Sequence, residues 1–141
     1  MKYSAAVVDT NVVVAGLLTR IADSPTARIL DAMRKGAFPF LLSTALLAEY
    51  REVLLREKIR ALHGLSGRDV DIILTAIAAN AIVREPETLR GAPDAKDNHL
   101  WSLLQSDANS VLVTGDHALA ESPPPKSAVL QPREFVDLLP A

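Results

Sequence analysis

Four acidic residues, spread over the chain, have the setting of a divalent-cation site. Asp9 directly follows the apolar run AAVV, and Asp116 stands two residues beyond the end of VLVT. Glu49 and Asp97 fall on the apolar faces of amphipathic stretches. Carboxylates that are packed closely raise one another's pKa, and a bound dication relieves this repulsion. Magnesium and manganese ions favour carboxylate and water oxygens, so the four acids predict a Mg²⁺ or Mn²⁺ site.

Glu49 is the acid of its stretch whose position best suits such a site. It lies three residues after Leu46 and four before Val53, at the edge of an apolar stripe. Glu52 points toward solvent. Glu57 falls on the same stripe but two helical turns farther on, roughly 12 Å along the axis. We therefore expect Glu49, and not Glu57, to reach groups at the strand ends.

Asp97 stands in line with the buried face of a predicted helix. Leu100, Trp101 and Leu104 follow it at helical spacing. Its place at or near the helix N-terminus is one where the helix dipole stabilises a carboxylate by about 0.3–1 kcal/mol. Asp94, one turn earlier, is either an N-cap or an outer partner of the same site.

Polar residues near the acids are candidates for a supporting role. Asn11 belongs to the motif DTN and Thr114 closes VLVT, and hydrogen bonds from such groups orient metal ligands. His63, His99 and His117 are further candidates as catalytic helpers. For His99 and His117 we favour the interpretation that they are exposed residues of a helix and a turn.

Each acid also has a purely structural explanation. Asp9 and Asp97 could cap the helices that follow them. Glu49 could pair with a nearby arginine, and Asp116 could be a turn residue after Gly115. These explanations are independent of one another, whereas a shared site accounts for all four acids together.

Apolar runs and capping signals predict alternating strands and helices. The strands are predicted over 3–8, 38–42, 81–83, 111–114 and 127–130. The helices are predicted over 11–18, 25–35, 45–62, 67–80 and 96–106, with a short final helix from Pro132. Ser24-Pro25, Gly36 and the capping-box spacing of Ser66 with Asp69 set helix ends. Loops are predicted over 85–94 and at 123–125.

This alternation indicates an α/β fold whose parallel sheet is covered by helices on both faces. Ligand sites of such sheets lie beyond the carboxyl ends of the strands. Asp9 and Asp116 both occupy that position, on different strands. Because the chain has 141 residues and no dividing linker, we expect one domain over 1–141.

The composition limits the class of protein. Apolar residues make up 49% and charged residues 23%, which is typical of a globular chain. The absence of cysteine excludes disulfides and thiolate metal sites. A net charge of −2 argues against a general polyanion binder. Asp9 and Asn11 interrupt the apolar N-terminal run, so we expect no signal peptide, no membrane contact and a cytoplasmic protein.

The densest basic stretch contains Arg51, Arg56, Lys58, Arg60 and Arg68. A solvated helix face is the interpretation that we favour for it. A rim that contacts a nucleic-acid substrate is the alternative.

Four sequence blocks, taken in order, resemble those of the PIN-domain nucleases: DTN, LLAEYREVL, DAKDNHL and VLVTGDHAL. The chain is most similar to the VapC-like toxins of bacterial toxin–antitoxin pairs. The resemblance implies a three-layer α/β/α fold with a central parallel sheet and an endoribonuclease site that uses Mg²⁺ or Mn²⁺. Carried over by position, the acids of that site are Asp9, Glu49, Asp97 and Asp116. An RNA substrate, a homodimer and an antitoxin protein are the partners that it implies.

The reaction that fits these residues is metal-assisted hydrolysis of RNA phosphodiester bonds, with Asp9 best placed to contact two ions. One alternative is an aspartyl-phosphate-forming phosphatase with Asp9 as nucleophile. Asn11 weakens it, because that chemistry usually has a second acid at this position. The alternative from another class is a non-catalytic protein that binds RNA or an antitoxin.

Overall fold

The computed structural model describes residues 1–88, 90–92, 94–121, 123 and 127–140. The strands are β1 (Ala5–Val8), β2 (Leu41–Leu42), β3 (Ile82–Val83), β4 (Ser110–Val113) and β5 (Ala128–Leu130). The longer helices are α1 (Thr10–Leu18), α2 (Pro25–Lys35), α3 (Thr44–Leu54), α4 (Glu57–His63), α5 (Gly67–Asn80) and α6 (Asn98–Gln105). Two short helices, α7 (His117–Glu121) and α8 (Pro132–Val136), and a 3₁₀ turn (Ala95–Asp97) complete the described elements.

All the strand pairs are parallel. The strands β1, β4 and β5 form one sheet in that order, and β2 pairs with β3. A bridge between Ala6 and Phe40 joins the two groups, so that β1 lies between β2 and β4. The result is the three-layer α/β/α class that the sequence predicts. From β1, the chain proceeds to β2 and β3 on one side of the sheet, and β4 and β5 lie on the other side. Open parallel sheets bind ligands at such a change of direction, here between β1 and β4.

Local signals fix several helix ends as predicted. Ser24 accepts a hydrogen bond from the Ala27 amide, and Pro25 occupies the first helical position of α2. Gly36 ends the helix with φ +66°, a conformation that favours glycine. The predicted capping box of α5 is present in both directions, between Ser66 and Asp69.

The predicted helix over 45–62 is wrong as a single element, because the chain leaves the helical conformation between α3 and α4. Arg56 is extended, with φ −58° and ψ 138°. The ring of His63 turns back to the freed end of α3, with Nε2 2.8 Å from the Leu54 carbonyl oxygen. Its Nδ1 accepts from the Leu65 amide at 2.9 Å. His63 therefore has a structural role at this break.

Smaller differences concern the second half of the chain. The predicted helix over 96–106 begins as the 3₁₀ turn and continues as α6 to Gln105. The helix α7 was not predicted. The predicted loops include Leu89, Pro93, Pro124 and Pro125, which lie outside the described residues.

The core consists of the central strands and the apolar helix faces against them. All residues of β1 and β4 are buried, as expected for strands covered on both sides. Tyr50 anchors α3 to this core, since its buried hydroxyl donates to the Val8 carbonyl. No helix within the described ranges has the length and apolarity that a bilayer crossing requires.

Candidate functional site

The Asp9 carboxylate lies at the carboxyl end of β1 and is only 6% exposed. Oδ1 accepts from the Thr10 amide at 2.7 Å, so Asp9 also caps α1. Oδ2 accepts from the Thr114 hydroxyl at 2.8 Å and from Asn11 Nδ2 at 3.1 Å. A buried carboxylate without such donors would be strongly unfavourable, so these three bonds permit a charge inside an apolar segment.

The side chain of Asn11 joins the ends of β1 and β4. Its Nδ2 lies 3.2 Å from the Thr114 hydroxyl, and its Oδ1 accepts from the Gly115 amide at 3.0 Å. The Thr114 hydroxyl in turn accepts from the Asp116 amide at 3.0 Å. The loop that carries Asp116 is therefore tied through hydrogen bonds to the residues around Asp9.

Glu49 reaches the same region from α3. Leu46, Tyr50 and Leu54 form the buried face of this helix, and the Glu49 side chain, at its border, is 27% exposed. The Thr10 hydroxyl donates to Glu49 Oε2. Because the Thr10 amide also binds Asp9, this one residue links the two carboxylates.

Asp97 approaches from the start of α6. It occupies the N-cap position, but its side chain makes no capping hydrogen bond. Asp94 is the residue that caps here, accepting from the Lys96 amide of the 3₁₀ turn at 3.0 Å. The explanation of Asp97 as a helix cap therefore has no support, whereas the one for Asp9 does.

The pKa values of Asp97 and Asp9 are both raised, by burial and by the charges of neighbouring acids. Burial, together with the charges of Asp9, Asp94, Glu49 and Asp116, raises the pKa of Asp97 to about 6. Burial is also the main reason why the pKa of Asp9 is raised, against the hydrogen bond from Thr114 and that from Thr10. The charges of the other acids named in the sequence therefore act on the carboxylates of Asp9 and Asp97.

Glu49 shows the opposite shift, and a histidine causes it. His99 Nε2 lies 3.4 Å from Glu49 Oε1, and this hydrogen bond is the main reason why the pKa of Glu49 is lowered. The His99 side chain is 20% exposed. Its Nδ1 is buried and has no hydrogen-bond partner among the described residues. The prediction that His99 is an exposed helix residue is therefore wrong.

From the sequence, Thr10 is not identified as a residue of the site, and His99 is a candidate helper for which the exposed interpretation is favoured. For His99 a signal existed, because it precedes the buried Leu103 by four positions and so shares its helix face. Thr10 offered no comparable signal, since its hydroxyl meets a residue 39 positions away. Glu57, the competitor that we expect not to reach the strand ends, is exposed at the start of α4. His117, for which we favour the exposed interpretation, is exposed at the start of α7.

The donor set suits a hard dication, but the side chains are not arranged as a finished coordination shell. Within the described ranges, no three acidic or histidine side chains are grouped closely enough to hold a metal ion. The carboxylates of Asp9 and Glu49 instead accept protein hydrogen bonds. Four oxygen-donor side chains from separate elements are nevertheless the ligand chemistry that Mg²⁺ and Mn²⁺ favour.

Comparison with known proteins gives a match over most of the chain. A family model described as PIN domain matches residues 5–118, a range that contains all four acids. No curated protein matches the chain. PIN domains are typically nucleases, and they generally use divalent metal ions.

Proposed function

Because the chain belongs to the PIN-domain family, we propose that it is a Mg²⁺- or Mn²⁺-dependent endoribonuclease that acts at Asp9, Glu49, Asp97 and Asp116. The observation that carries this proposal is the state of Asp97. Its carboxylate makes no capping bond, and partial burial together with the charges of four other acids raises its pKa to about 6. Such crowding is unfavourable for folding alone and favourable once a dication is bound.

The chemistry that a bound divalent ion would supply here is positive charge opposite the phosphoryl oxygens and a lowered pKa for water. The four carboxylates would hold the ion. Asn11 and Thr114 fix the orientation of Asp9, and Thr10 and His99 fix that of Glu49. Ligands that are held in place in this way do not have to be reorganised during the reaction.

The phosphatase alternative has less support from this geometry. A nucleophilic carboxylate must approach phosphorus, yet Asp9 is 6% exposed and both of its oxygens accept hydrogen bonds. The position two residues on is Asn11, whose amide binds Asp9 and the loop after β4. A second acid, which the phosphatase chemistry usually has there, is replaced by a structural amide.

A non-catalytic binding protein remains the second candidate, because no three ligands are grouped at coordinating distance in the described residues. The two candidates differ in a direct assay with mixed-sequence RNA oligonucleotides. The nuclease cuts them in Mn²⁺ and loses activity in EDTA or on Asp97→Asn, while the control Glu57→Gln, at an exposed position of α4, cuts normally. Tight binding without cleavage would favour the second candidate, and cleavage that persists in EDTA would exclude the metal mechanism.

We extend the proposal to a toxin of a toxin–antitoxin pair in the cytoplasm, on the basis of the family resemblance. This role implies a homodimer and an antitoxin protein as partners.

Expression of the wild-type chain should then arrest growth, and expression of Asp97→Asn should not. Size-exclusion chromatography with light scattering tests the dimer. Growth that continues while active nuclease accumulates would contradict the toxin role and leave the nuclease assignment intact.

A further inference from the structure

A groove of about 600 Å³ runs beside Glu49, between α3 and the beginning of α6. We name it the α3–α6 groove. Arg56, Lys96 and His99 line it together with two acids, Glu49 and Glu52. The groove therefore includes one acid of the candidate site and places two cationic side chains close to it.

The charges in the groove are not all compensated. Arg56 pairs with Glu52 at 3.1 Å, but both side chains are well exposed, and exposed ion pairs of this kind contribute little and exchange partners easily. In the part of the chain that the structure describes, no carboxylate lies within 4.0 Å of the Lys96 ammonium. An exposed cation placed next to four acids is suited to an anionic ligand that must approach an acidic site.

We propose that the α3–α6 groove holds the sugar–phosphate backbone of an RNA strand beside the bond that is cut, with Lys96 and Arg56 contacting its phosphates. This inference rests on the proposed function, because it assumes that the acids act on RNA. Cations along a groove are how proteins track a single strand without reading its sequence. They also offset the repulsion between the carboxylates and the phosphates that flank the cut.

The lining of the groove distinguishes residues of the basic stretch that the sequence alone could not distinguish. Arg56 lines it, whereas Arg51 is paired with Asp71 at 2.9 Å in an exposed contact elsewhere on α3. Lys58 and Arg68 do not line it. The proposal thus assigns substrate contact to one residue of that stretch and adds Lys96, which lies outside it.

The experiment measures binding of a single-stranded RNA oligonucleotide in EDTA, where the metal-dependent reaction does not occur, over a range of salt concentrations. The variant Arg56→Gln/Lys96→Gln is compared with the control Lys35→Gln/Arg68→Gln, which removes the same charge from exposed positions outside the groove. Loss of two phosphate contacts should weaken RNA binding. It should also reduce the slope of the logarithm of the association constant against the logarithm of the salt concentration by about 1.4. The control should bind as the wild type does. Equal melting temperatures confirm that both variants fold.

Cleavage in Mn²⁺ gives a second readout. The groove variant should show a raised KM with kcat near the wild-type value, since the four acids are unchanged. A groove variant with wild-type affinity and salt slope overturns the proposal, as does a control that loses as much binding. Because the proposed contacts are to phosphates, DNA of the same sequence should bind with a similar salt slope, and equal cleavage of the DNA would overturn the assignment to RNA. If the wild type binds through the groove but never cuts, the nuclease function fails and the groove proposal stands.

Discussion

At the scale of single residues, Asp9 and Asp97 are both acids of the site, yet their surroundings differ. Asp9 accepts hydrogen bonds from Thr10, Asn11 and Thr114, and the structure around it depends on those bonds. Asp97 makes no capping bond and is surrounded by like charges. The same isosteric substitution should therefore have different effects on stability at the two positions.

Asp9→Asn places an amide NH₂ group against hydrogen-bond donors, so we expect it to lower the free energy of unfolding by about 1–3 kcal/mol. Asp97→Asn removes a repelled charge and should leave stability unchanged or raised. Both should abolish cleavage. Chemical denaturation in EDTA at pH 7 measures the two effects. If Asp97→Asn lowered the free energy of unfolding as much as Asp9→Asn does, Asp97 would have a structural role instead.

His99 is the residue whose role we expect to be positioning. Its contact with Glu49 is of the kind that orients a metal ligand, and loss of such partners typically costs 10–100-fold in metal affinity. His99→Leu should therefore weaken Mn²⁺ binding by about tenfold in calorimetry, independently of any cleavage assay. His99→Gln, whose amide can still donate to Glu49, should retain most of the affinity. Equal affinities for the two variants would contradict this role.

At the scale of elements, α1 and α2 cross closely at Gly16. A Cβ atom at this position would lie 2.5 Å from the Thr26 carbonyl oxygen, a backbone atom that cannot move aside alone. Gly16→Ala should therefore force the two helices apart and destabilise the protein by about 1–3 kcal/mol. Because α1 begins at Thr10, the displacement would also move the residue that joins Asp9 to Glu49.

Gly67→Ala is the matched control for this prediction. A Cβ atom there would meet only Leu55 Cδ2 at 3.9 Å, an ordinary contact. Alanine is also the better helix former, so Gly67→Ala should be neutral or stabilising by up to about 1 kcal/mol. Thermal denaturation of both variants tests the pair. If Gly16→Ala were as stable as Gly67→Ala, the close crossing of α1 and α2 at Gly16 would be wrong.

Elements with local signals could be predicted from the sequence, and elements decided by distant contacts could not. Ser24, Gly36 and Ser66 act within one turn of their own positions, and the helix ends that they set are confirmed. The break between α3 and α4 has no proline or glycine to signal it. It is accompanied by the contact of His63 with Leu54, nine positions away, and by packing against the rest of the chain.

The same distinction applies to the candidate site. Strand ends and helix faces could be inferred from apolar spacing, which places the four acids at one edge of the sheet. The contacts of Thr10 and His99 with Glu49 span 39 and 50 positions. Spacing within one element contains no information about such pairs, because they depend on how α3 lies relative to α1 and α6.

At the scale of the whole molecule, Asp97 should give the stability of the metal-free protein a distinctive pH dependence. Its pKa is raised from 3.8 to about 6 on folding, so the folded state binds the proton more tightly. The resulting stabilisation is fully present below about pH 3.8 and is lost as the pH rises through about 6. Since the side chain is partly exposed, we discount the effect for solvent screening and expect about 1 kcal/mol.

The measurement is the difference in free energy of unfolding between the wild type and Asp97→Asn, in EDTA, from pH 4 to pH 7. Titrations that the two proteins share largely cancel in this difference. The wild type should become less stable relative to the variant as the pH rises. A difference that is flat, or that changes in the opposite direction, would show that burial and neighbouring charges do not raise the pKa of Asp97.

The position of β4 in the sheet has a consequence for the timing of activity. This strand lies between β1 and β5, and Thr114, at its end, donates to an Asp9 carboxylate that precedes it by 105 positions. A nascent chain of 109 residues on the ribosome contains Asp9, Glu49 and Asp97 but neither this donor nor Asp116. On the proposed function, stalled chains of that length should not cleave RNA, whereas released chains that also include β5 should cleave it. The proposed activity would then arise only when most of the chain has been translated.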